Sequence, residues 1–245
     1  MKEFASEYLI KPIAVMESPF RTKFSVPRQS ALVKNGQFNI RLLPPYDTMQ
    51  AVEGITQYSH LWVTFVFHEV DGNRPFAPMV RPPRLGGDAK LGVFATRSPF
   101  RPNRLGLSSV RLLGVRQEQG VIRLDIAGAD LVNGTPIVDL RPYIAFTDSI
   151  PDTDSGFAQE EPPRVSVQFS AQAELELSQI KIPKFKEFIV EILAQDPRPA
   201  YKGRREQEGR ETVDAREYGT ELYDYDVHWR ALADGILVTR LSPRS

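Results

Sequence analysis

The sequence predicts a mainly β protein, with an N-terminal barrel or sandwich of short strands followed by a small α+β domain. Three observations favour this class. Short β-rich runs in the first 147 residues are separated by connections rich in Pro and Gly. An acidic, Pro-rich stretch follows at 148–164, and an amphipathic helical pattern appears only after it. The alternating strand and helix periods that a doubly wound sheet requires are not visible.

Two strands are predicted in the first third of the chain. Phe38, Ile40 and Leu42 alternate with polar neighbours, which is typical of a strand with one buried face. Residues 61–67 form a continuous apolar run rich in β-formers. That run predicts a central strand that is buried on both faces.

Three further strands are predicted between residues 107 and 140. The first two cover 107–115 and 121–126 and are joined by a polar link at 117–120. In the second of these, Ile122, Leu124 and Ile126 share one face because side chains alternate along a strand. The third covers 137–140 and follows an Asn133-Gly134 turn signal.

The composition and the hydrophobic pattern change in the C-terminal part. Residues 148–164 are interpreted as a linker and residues 165–245 as a small α+β domain. Pro183 is predicted to occupy the first position of a helix, and Pro197 to end that helix by Asp196. The helix has one apolar stripe, formed by Phe185, Phe188, Ile189, Ile192 and Leu193.

The last strands are predicted to form a terminal hairpin. Residues 227–232 and 236–241 are apolar runs joined through an Ala-Asp-Gly turn. Residues 202–217, before this hairpin, are almost wholly polar and predict an exposed loop.

Composition excludes several classes of protein. The chain has 245 residues, and its hydrophobic fraction of 41% is sufficient for a packed core. The absence of cysteine excludes disulfides, thiolate metal sites and cysteine nucleophiles. Three scattered histidines predict no metal site. Residues 1–10 lack a secretion signal, and no apolar run is long enough to span a membrane, so we expect a soluble cytoplasmic protein.

Charge is balanced overall but not locally. Lysine plus arginine and aspartate plus glutamate both number 31, which argues against binding polyanions over the whole surface. Residues 74–111 contain eight arginines and lysines against one acid, Asp88, giving a local charge of +7. Pro, Gly and Phe are interleaved with these cations, which indicates shaped loops. A solvated surface is the alternative interpretation of the cluster.

Four polar segments are built from stiff residues that define backbone shape. They are Ser18-Pro-Phe-Arg21 with Val26-Pro-Arg-Gln29, Phe67-His-Glu69, Arg81 through Leu107, and Gly128 through Pro136. The third segment contains RPPRLGG and ATRSPFRPN followed by RLGLS, and the fourth contains DLVNGTP. Together these segments closely resemble the TsaA-like (TrmO) family of bacterial tRNA (adenine-37) N6-methyltransferases.

The resemblance covers residues 8–147 well. The C-terminal part, including residues 193–201, resembles the bacterial members that carry an extra small domain. One departure is Arg104, where many relatives have proline. The resemblance implies a β-barrel methyltransferase that uses S-adenosylmethionine, works as a homodimer and methylates threonylcarbamoyl-adenosine at position 37 of threonine tRNA. The chain also lacks a strand followed by GxGxxG, so the usual dinucleotide-type cofactor cradle is missing.

The resemblance also implies a set of cofactor-binding residues: Pro27, Arg28, Gln29, His68, Glu69, Arg97, Leu107, Gly128, Ala129 and Asp130. A fork of two hydrogen bonds from Arg97 suits the cofactor's carboxylate. Asp130 suits a ribose hydroxyl or an ammonium, or alternatively only caps a turn. Leu107 suits the adenine face. His68 at a strand end has a purely structural alternative.

Residues for the RNA substrate are assigned in the same way. Asp196 and Tyr201 loosely resemble the Asp/Asn-Pro-Pro-Tyr motif of unrelated amino-methyltransferases, with a spacing that departs by two residues. They are the candidate catalytic residues, and a Pro-rich loop that only packs the small domain is the alternative. The candidate tRNA-binding residues are Arg84, Arg101, Arg104 and Arg198.

Two other functions stay open at this point. One is a cofactor-binding regulatory module without turnover, and the other is a methyltransferase for a small molecule or a protein amine. The cation-rich stretch at 74–111 favours a tRNA substrate.

Overall fold

The computed structural model describes residues 7–85, 89–198 and 216–244. The mainly β prediction is confirmed. In chain order the elements are β1 (Ala14–Glu17), β2 (Phe38–Leu42), β3 (His60–Val66), β4 (Met79–Val80), β5 (Leu91–Gly92), β6 (Leu105–Glu118), β7 (Val121–Ala127), β8 (Pro136–Pro142), α1 (Ala145–Asp148), β9 (Ser166–Phe169), α2 (Ala171–Gln179), α3 (Phe185–Leu193), β10 (Glu217–Leu222), β11 (Tyr225–Leu232) and β12 (Gly235–Pro243).

Six strands of the N-terminal part pair in the order β1-β2-β7-β6-β3-β8, and β8 pairs back with β1, so the sheet forms a closed barrel. All of its pairings are antiparallel. Closure removes the unpaired strand edges that would otherwise invite aggregation. The predicted shared face of Ile122, Leu124 and Ile126 is confirmed, because all three side chains are buried in the core.

The prediction that residues 61–67 are buried on both faces is wrong. In β3, Leu61, Val63 and Phe65 are buried, whereas Trp62 and Thr64 are only half-buried. The strand belongs to a barrel wall, which has an inner and an outer face. The outer side of the strand carries Trp62, which is half-buried against Tyr143 and donates to Asp148 at 2.9 Å.

The β6–β7 hairpin is longer than predicted. Strand β6 extends from Leu105 to Glu118, and the turn consists of Gln119 and Gly120. Both turn residues have positive φ, 52° and 81°, the backbone geometry that matches the twist of two-residue hairpins. Strands β2, β7 and β8 lie where they were predicted.

The C-terminal part contains a four-stranded sheet in the order β10-β11-β12-β9, with helices α2 and α3. The predicted terminal hairpin is confirmed by the pairing of β11 with β12. Helix α3 begins at Phe185 rather than at Pro183, because Lys184 takes a left-handed φ of 54° at the N-cap. The predicted polar loop ends before Glu217, which begins β10, and most of that loop lies outside the described residues.

An aromatic cluster connects the N-terminal barrel with the C-terminal part of the chain. Phe188 of α3 packs between Phe20 and Phe38, with ring centroids 5.7 and 6.3 Å apart, and all three side chains are buried. Next to them, Gly36 approaches so closely that a Cβ there would lie 2.7 Å from the Phe188 ring. The division into domains at 148–164 stays a prediction. None of the helices in the described ranges is long and apolar enough to cross a membrane.

Candidate functional site

Two segments that the sequence singles out meet beside β6. The N–H of Ala31 donates to the carbonyl of Gly128 at 2.9 Å. Gly128 has a φ of 78°, and a Cβ there would lie 3.4 Å from the Ala31 backbone. Glycine is favoured at this φ because it has no Cβ. The contact places the predicted cofactor residues 27–29 next to residues 128–130.

Residues 27–31 and 128–130 meet at a place that is called the junction below. Asp130 lies there, and its surroundings shift the pKa of its carboxyl. Its Oδ1 is buried and has no hydrogen-bond partner among the residues that the structure describes. Burial raises the pKa of the carboxyl, and the nearby Ser108 hydroxyl and the charge of Arg97 only partly offset that effect. A buried oxygen without a donor is costly in a native protein and calls for an explanation. Asp130 can accept a hydrogen bond from a bound ligand.

Arg97 joins the junction from a third segment. Its Nη1 donates to Oε1 of Gln29, and its charge acts on Asp130. A guanidinium has five N–H donors, so Arg97 can bind Gln29 and a ligand carboxylate at the same time. The structure therefore brings Gln29, Arg97 and Asp130 together from positions far apart in the sequence.

A groove of about 580 Å³ opens next to this junction on the outer side of the barrel. Its lining includes Ala31, Gly128, Arg111, His60 and Tyr143. The volume falls in the usual range of small-molecule sites. Among the predicted cofactor residues, only Gly128 lines the groove.

Several predicted cofactor residues lie apart from Asp130. His68 and Glu69 are exposed after the end of β3, and no hydrogen bond or ion pair within the described ranges connects them to the junction. Leu107 is 54% exposed, on the face of β6 opposite to Ser108. Pro27 and Ala129 are buried, whereas Arg28 is exposed.

The predicted tRNA-binding arginines differ in their surroundings. Arg84 is half-buried in a 3₁₀ turn, Pro83–Leu85. Arg101 donates to the Thr96 carbonyl at 2.9 Å, and Arg104 to the Val70 carbonyl at 3.0 Å. Arg101 and Arg104 therefore brace the loops on which they lie.

Asp196 and Arg198 form an ion pair. The Arg198 Nε lies 2.8 Å from Asp196 Oδ1, and its Nη2 lies 2.8 Å from Oδ2. The Arg198 side chain is only 8% exposed, so contact with an RNA phosphate requires this pair to open. Asp196 has a left-handed φ of 46°, a conformation that is uncommon outside glycine. Tyr201, the other candidate catalytic residue, lies outside the described residues.

The described residues contain no cluster of three or more His, Cys, Asp or Glu side chains that could hold a metal ion. The family model of the tRNA-methyltransferase O N-terminal domain matches residues 15–149, and the model of the TrmO C-terminal domain matches residues 162–244. The chain belongs to the TrmO family. The resemblance seen in the sequence is confirmed.

Relatives in the TrmO family match the whole chain. The tRNA (adenine(37)-N6)-methyltransferase of Escherichia coli (strain K12) is 43% identical over 243 residues, which is 98% of this chain and 100% of the relative. A putative S-adenosylmethionine-dependent methyltransferase RcsF of Pseudomonas aeruginosa is 42% identical over 90% of this chain and 91% of the relative. The crystal structure of TrmO from Pseudomonas aeruginosa has a TM-score of 0.76 and 35% identity, covering 96% of this chain and 98% of that chain.

Sequence reasoning missed Ser108 in this TrmO-family site. Ser108 is a buried polar residue of β6, and its hydroxyl lowers the pKa of Asp130 against the effect of burial. A signal was available, because Ser108 shares its face of the strand with Val110 and Leu112. A polar residue at such an inward position predicts a buried polar partner.

Proposed function

We propose that the chain is an S-adenosylmethionine-dependent tRNA methyltransferase acting on N6 of threonylcarbamoyl-adenosine at position 37 of threonine tRNA. Membership of the TrmO family and the names of the relatives from Escherichia coli and Pseudomonas aeruginosa support the cofactor, the tRNA and the adenine nitrogen. The threonylcarbamoyl group and the threonine tRNA rest on the family resemblance.

The observation that carries the proposal is the convergence of Gln29, Arg97 and Asp130. S-adenosylmethionine has hydroxyl and ammonium groups that need hydrogen-bond acceptors. It also has a carboxylate that needs hydrogen-bond donors. The partnerless Oδ1 of Asp130 fits the first requirement and the Arg97 guanidinium fits the second. When bound, S-adenosylmethionine supplies a methyl group on a sulfonium centre.

Other residues complete the binding surface in this proposal. Pro27, Arg28, Gln29, Gly128 and Ala129 present backbone groups and buried apolar surface to the donor's adenosine. His68, Glu69 and Leu107 are assigned to the periphery of the same site. Positioning of the two reactants can supply roughly 7–11 kcal/mol of a barrier, so such a site needs no covalent intermediate.

On the substrate side, Asp196 and Tyr201 are assigned to the adenine. Arg198 pairs with Asp196. A carboxylate accepts hydrogen bonds without donating any. Such a carboxylate can accept from the exocyclic amine while the Tyr201 ring stacks on the base. Arg84, Arg101 and Arg104 are assigned to phosphates and to the threonylcarbamoyl carboxylate.

Transfer of a labelled methyl group tests the activity. The protein is incubated with labelled S-adenosylmethionine and with tRNA that carries or lacks the threonylcarbamoyl group. We expect label on N6 of adenosine 37 in the threonylcarbamoylated tRNA only. Label in both pools would contradict the threonylcarbamoyl requirement. Label in neither would favour a regulatory module or another methyl acceptor.

The cofactor assignment has its own test. Arg97→Ala is expected to weaken S-adenosylmethionine binding at least tenfold by calorimetry, because a charge-assisted hydrogen bond contributes about 1.5–3 kcal/mol. Arg141→Ala is the matched control, since Arg141 is an exposed arginine of β8 that pairs with Asp139. Equal affinities of the two variants would refute the carboxylate assignment.

We also propose that the chain acts as a homodimer in the cytoplasm. Leu107 and Leu113 lie exposed on the outer face of β6, and Phe146 of α1 is 92% exposed. Large apolar side chains that are exposed in one chain can contribute to an interaction surface. Light scattering is expected to give twice the chain mass for the native protein and the monomer mass for Leu113→Asp. A monomeric native protein would contradict the dimer.

A further inference from the structure

Three phenylalanine rings are exposed on the segment at 67–104, which is called the arginine-rich segment below. Phe76 is 57% exposed, Phe94 is 72% exposed and Phe100 is 40% exposed. The rings of Phe76 and Phe94 stack with centroids 6.5 Å apart, and the Arg74 guanidinium lies 4.4 Å from the centre of the Phe100 ring. Aromatic rings and a cation therefore share one surface.

The backbone under this surface is organised. Strands β4 and β5 pair, and the N–H of Val93 donates to the Pro78 carbonyl at 2.9 Å. The side chains of Arg101 and Arg104 each donate to a backbone carbonyl of the same segment. These bonds position the three rings without covering them.

Acidic residues are few in this region, which contains Glu69, Asp71 and Asp88. In the part of the chain that the structure describes, no ion pair involves any arginine or lysine between residues 74 and 111. By contrast, Arg41, Arg116 and Arg123 on the barrel wall all pair with carboxylates. Residues 74–111 have a net charge of +7, which is complementary to a polyanion.

We propose that the surface formed by Arg74, Phe76, Phe94 and Phe100 binds unpaired bases of the RNA substrate by stacking. This inference rests on the proposed function, because it takes tRNA as the partner. Single-stranded nucleic acid is held by aromatic side chains that stack on bases and by cations that contact the backbone. Phe94 precedes Arg97 of the cofactor site by three residues, so bases stacked here lie beside the adenosine that is to be methylated.

The test measures binding of a synthetic anticodon stem-loop RNA to the full-length protein. Phe94→Ala is expected to weaken binding about 5- to 150-fold, which corresponds to the ~1–3 kcal/mol of one stacked base. Phe94→Trp is expected to restore binding, whereas Phe94→Leu, which keeps apolar surface without a ring, is expected to resemble Phe94→Ala. Leu175→Ala, at an exposed apolar side chain of α2, is the control and is expected to bind like the native protein.

A second probe separates stacking from general affinity for RNA. A fully paired RNA hairpin without an unpaired base offers phosphates but no free base faces, so Phe94→Ala is expected to leave its binding unchanged. Arg74→Ala is expected to lower the salt dependence of binding to both RNAs, because one phosphate contact is lost. Equal weakening of both RNAs by Phe94→Ala, or of neither, would overturn the proposal.

The result also differs from a failure of the proposed function. Affinity for S-adenosylmethionine is expected to be the same for the native protein and Phe94→Ala. The KM for tRNA is expected to rise and kcat to stay constant. If the native protein transferred no methyl group to any tRNA, the proposed function would fail, and the two RNA-binding comparisons would still decide whether this surface stacks on bases.

Discussion

The two loop systems around Asp130 differ in what holds them. Residues 18–37, the clamped segment, are fixed by the C-terminal part of the chain. Glu191 of α3 accepts from the N–H groups of Lys34 and Asn35 at 2.8 and 2.9 Å, and the Tyr223 hydroxyl accepts from the N–H of Gln37 at 2.7 Å. The arginine-rich segment is held by hydrogen bonds of its own and by the bond from Arg97 to Gln29 of the clamped segment, and it exposes its rings.

In the proposed function, this contrast suits a site that takes two ligands of different size. S-adenosylmethionine is small and needs a rigid binding surface. The buried aromatic cluster and the Glu191 contacts hold the clamped segment rigid. A tRNA needs an accessible surface with stacking groups and unpaired cations, the role proposed for the arginine-rich segment. Asp130 interacts with both segments, because the Ser30 backbone and the charge of Arg97 each lower the pKa of its carboxyl.

The largest expected effect comes from removing the aromatic cluster under the clamped segment. Phe188→Ala is expected to lower the free energy of unfolding by about 3–5 kcal/mol, because a buried ring is lost and a cavity is left beside Phe20 and Phe38. Chemical denaturation measures the change. Phe157→Ala, the same substitution at an exposed ring, is expected to stay within about 0.5 kcal/mol of the native protein. Similar losses in both variants would mean that Phe188 is not the anchor.

A smaller effect is expected from the polar contacts of the same clamp. Glu191→Ala removes the acceptor for the Lys34 and Asn35 N–H groups and for the Asn35 side chain, at a cost of about 1.5–3 kcal/mol. Because the clamped segment carries residues 27–29, S-adenosylmethionine affinity is expected to fall with stability. Calorimetry and denaturation measure the two quantities.

Glu187→Ala is the control for Glu191→Ala, since Glu187 is exposed on the same helix and carries the same charge. Affinity for the anticodon stem-loop is expected to change little in either variant, because the arginine-rich segment is not held by α3. If Glu191→Ala weakened RNA and cofactor binding equally, the two loop systems would not be independent.

The sequence predicts these two segments unequally because of the range of their contacts. The apolar stripe of α3 is a local pattern, and its helix and buried face are confirmed by Phe185, Phe188 and Ile189. Its packing partners Phe20 and Phe38 are about 150 residues away and leave no periodic signal. Strand β1, with four residues, is too short to carry a pattern of its own.

The candidate site was located through the family resemblance, and the convergence of Gln29, Arg97 and Asp130 follows from chain topology. The error on β3 has a different origin. Outer-face residues such as Trp62 are apolar, and the sequence does not distinguish burial inside a sheet stack from an apolar outer barrel wall. The ion pair between Asp196 and Arg198 was not predicted from the sequence either, because both residues were assigned to ligands rather than to each other.

A pH dependence is expected at Asp130, where the two segments meet. Burial raises the pKa of this carboxyl in the native state above the ordinary value of about 3.9. At pH values between the ordinary pKa and the raised pKa, the native state therefore binds more protons than the unfolded state. The contribution of Asp130 to stability is therefore most favourable at low pH and declines as pH rises through that window. Asp130→Asn abolishes the titration, so the variant is expected to gain stability relative to the native protein with rising pH, as measured by denaturation at a series of pH values.

Saturating S-adenosylmethionine is expected to remove this relative gain of Asp130→Asn, because donors from the ligand favour the ionised carboxylate. Asp152→Asn, at an exposed position in 148–164, controls for the loss of one acidic group. A stability difference between Asp130→Asn and the native protein that did not vary with pH would show that Asp130 titrates as an ordinary surface carboxyl. The junction of the two segments would then lack the buried acceptor on which the cofactor site depends.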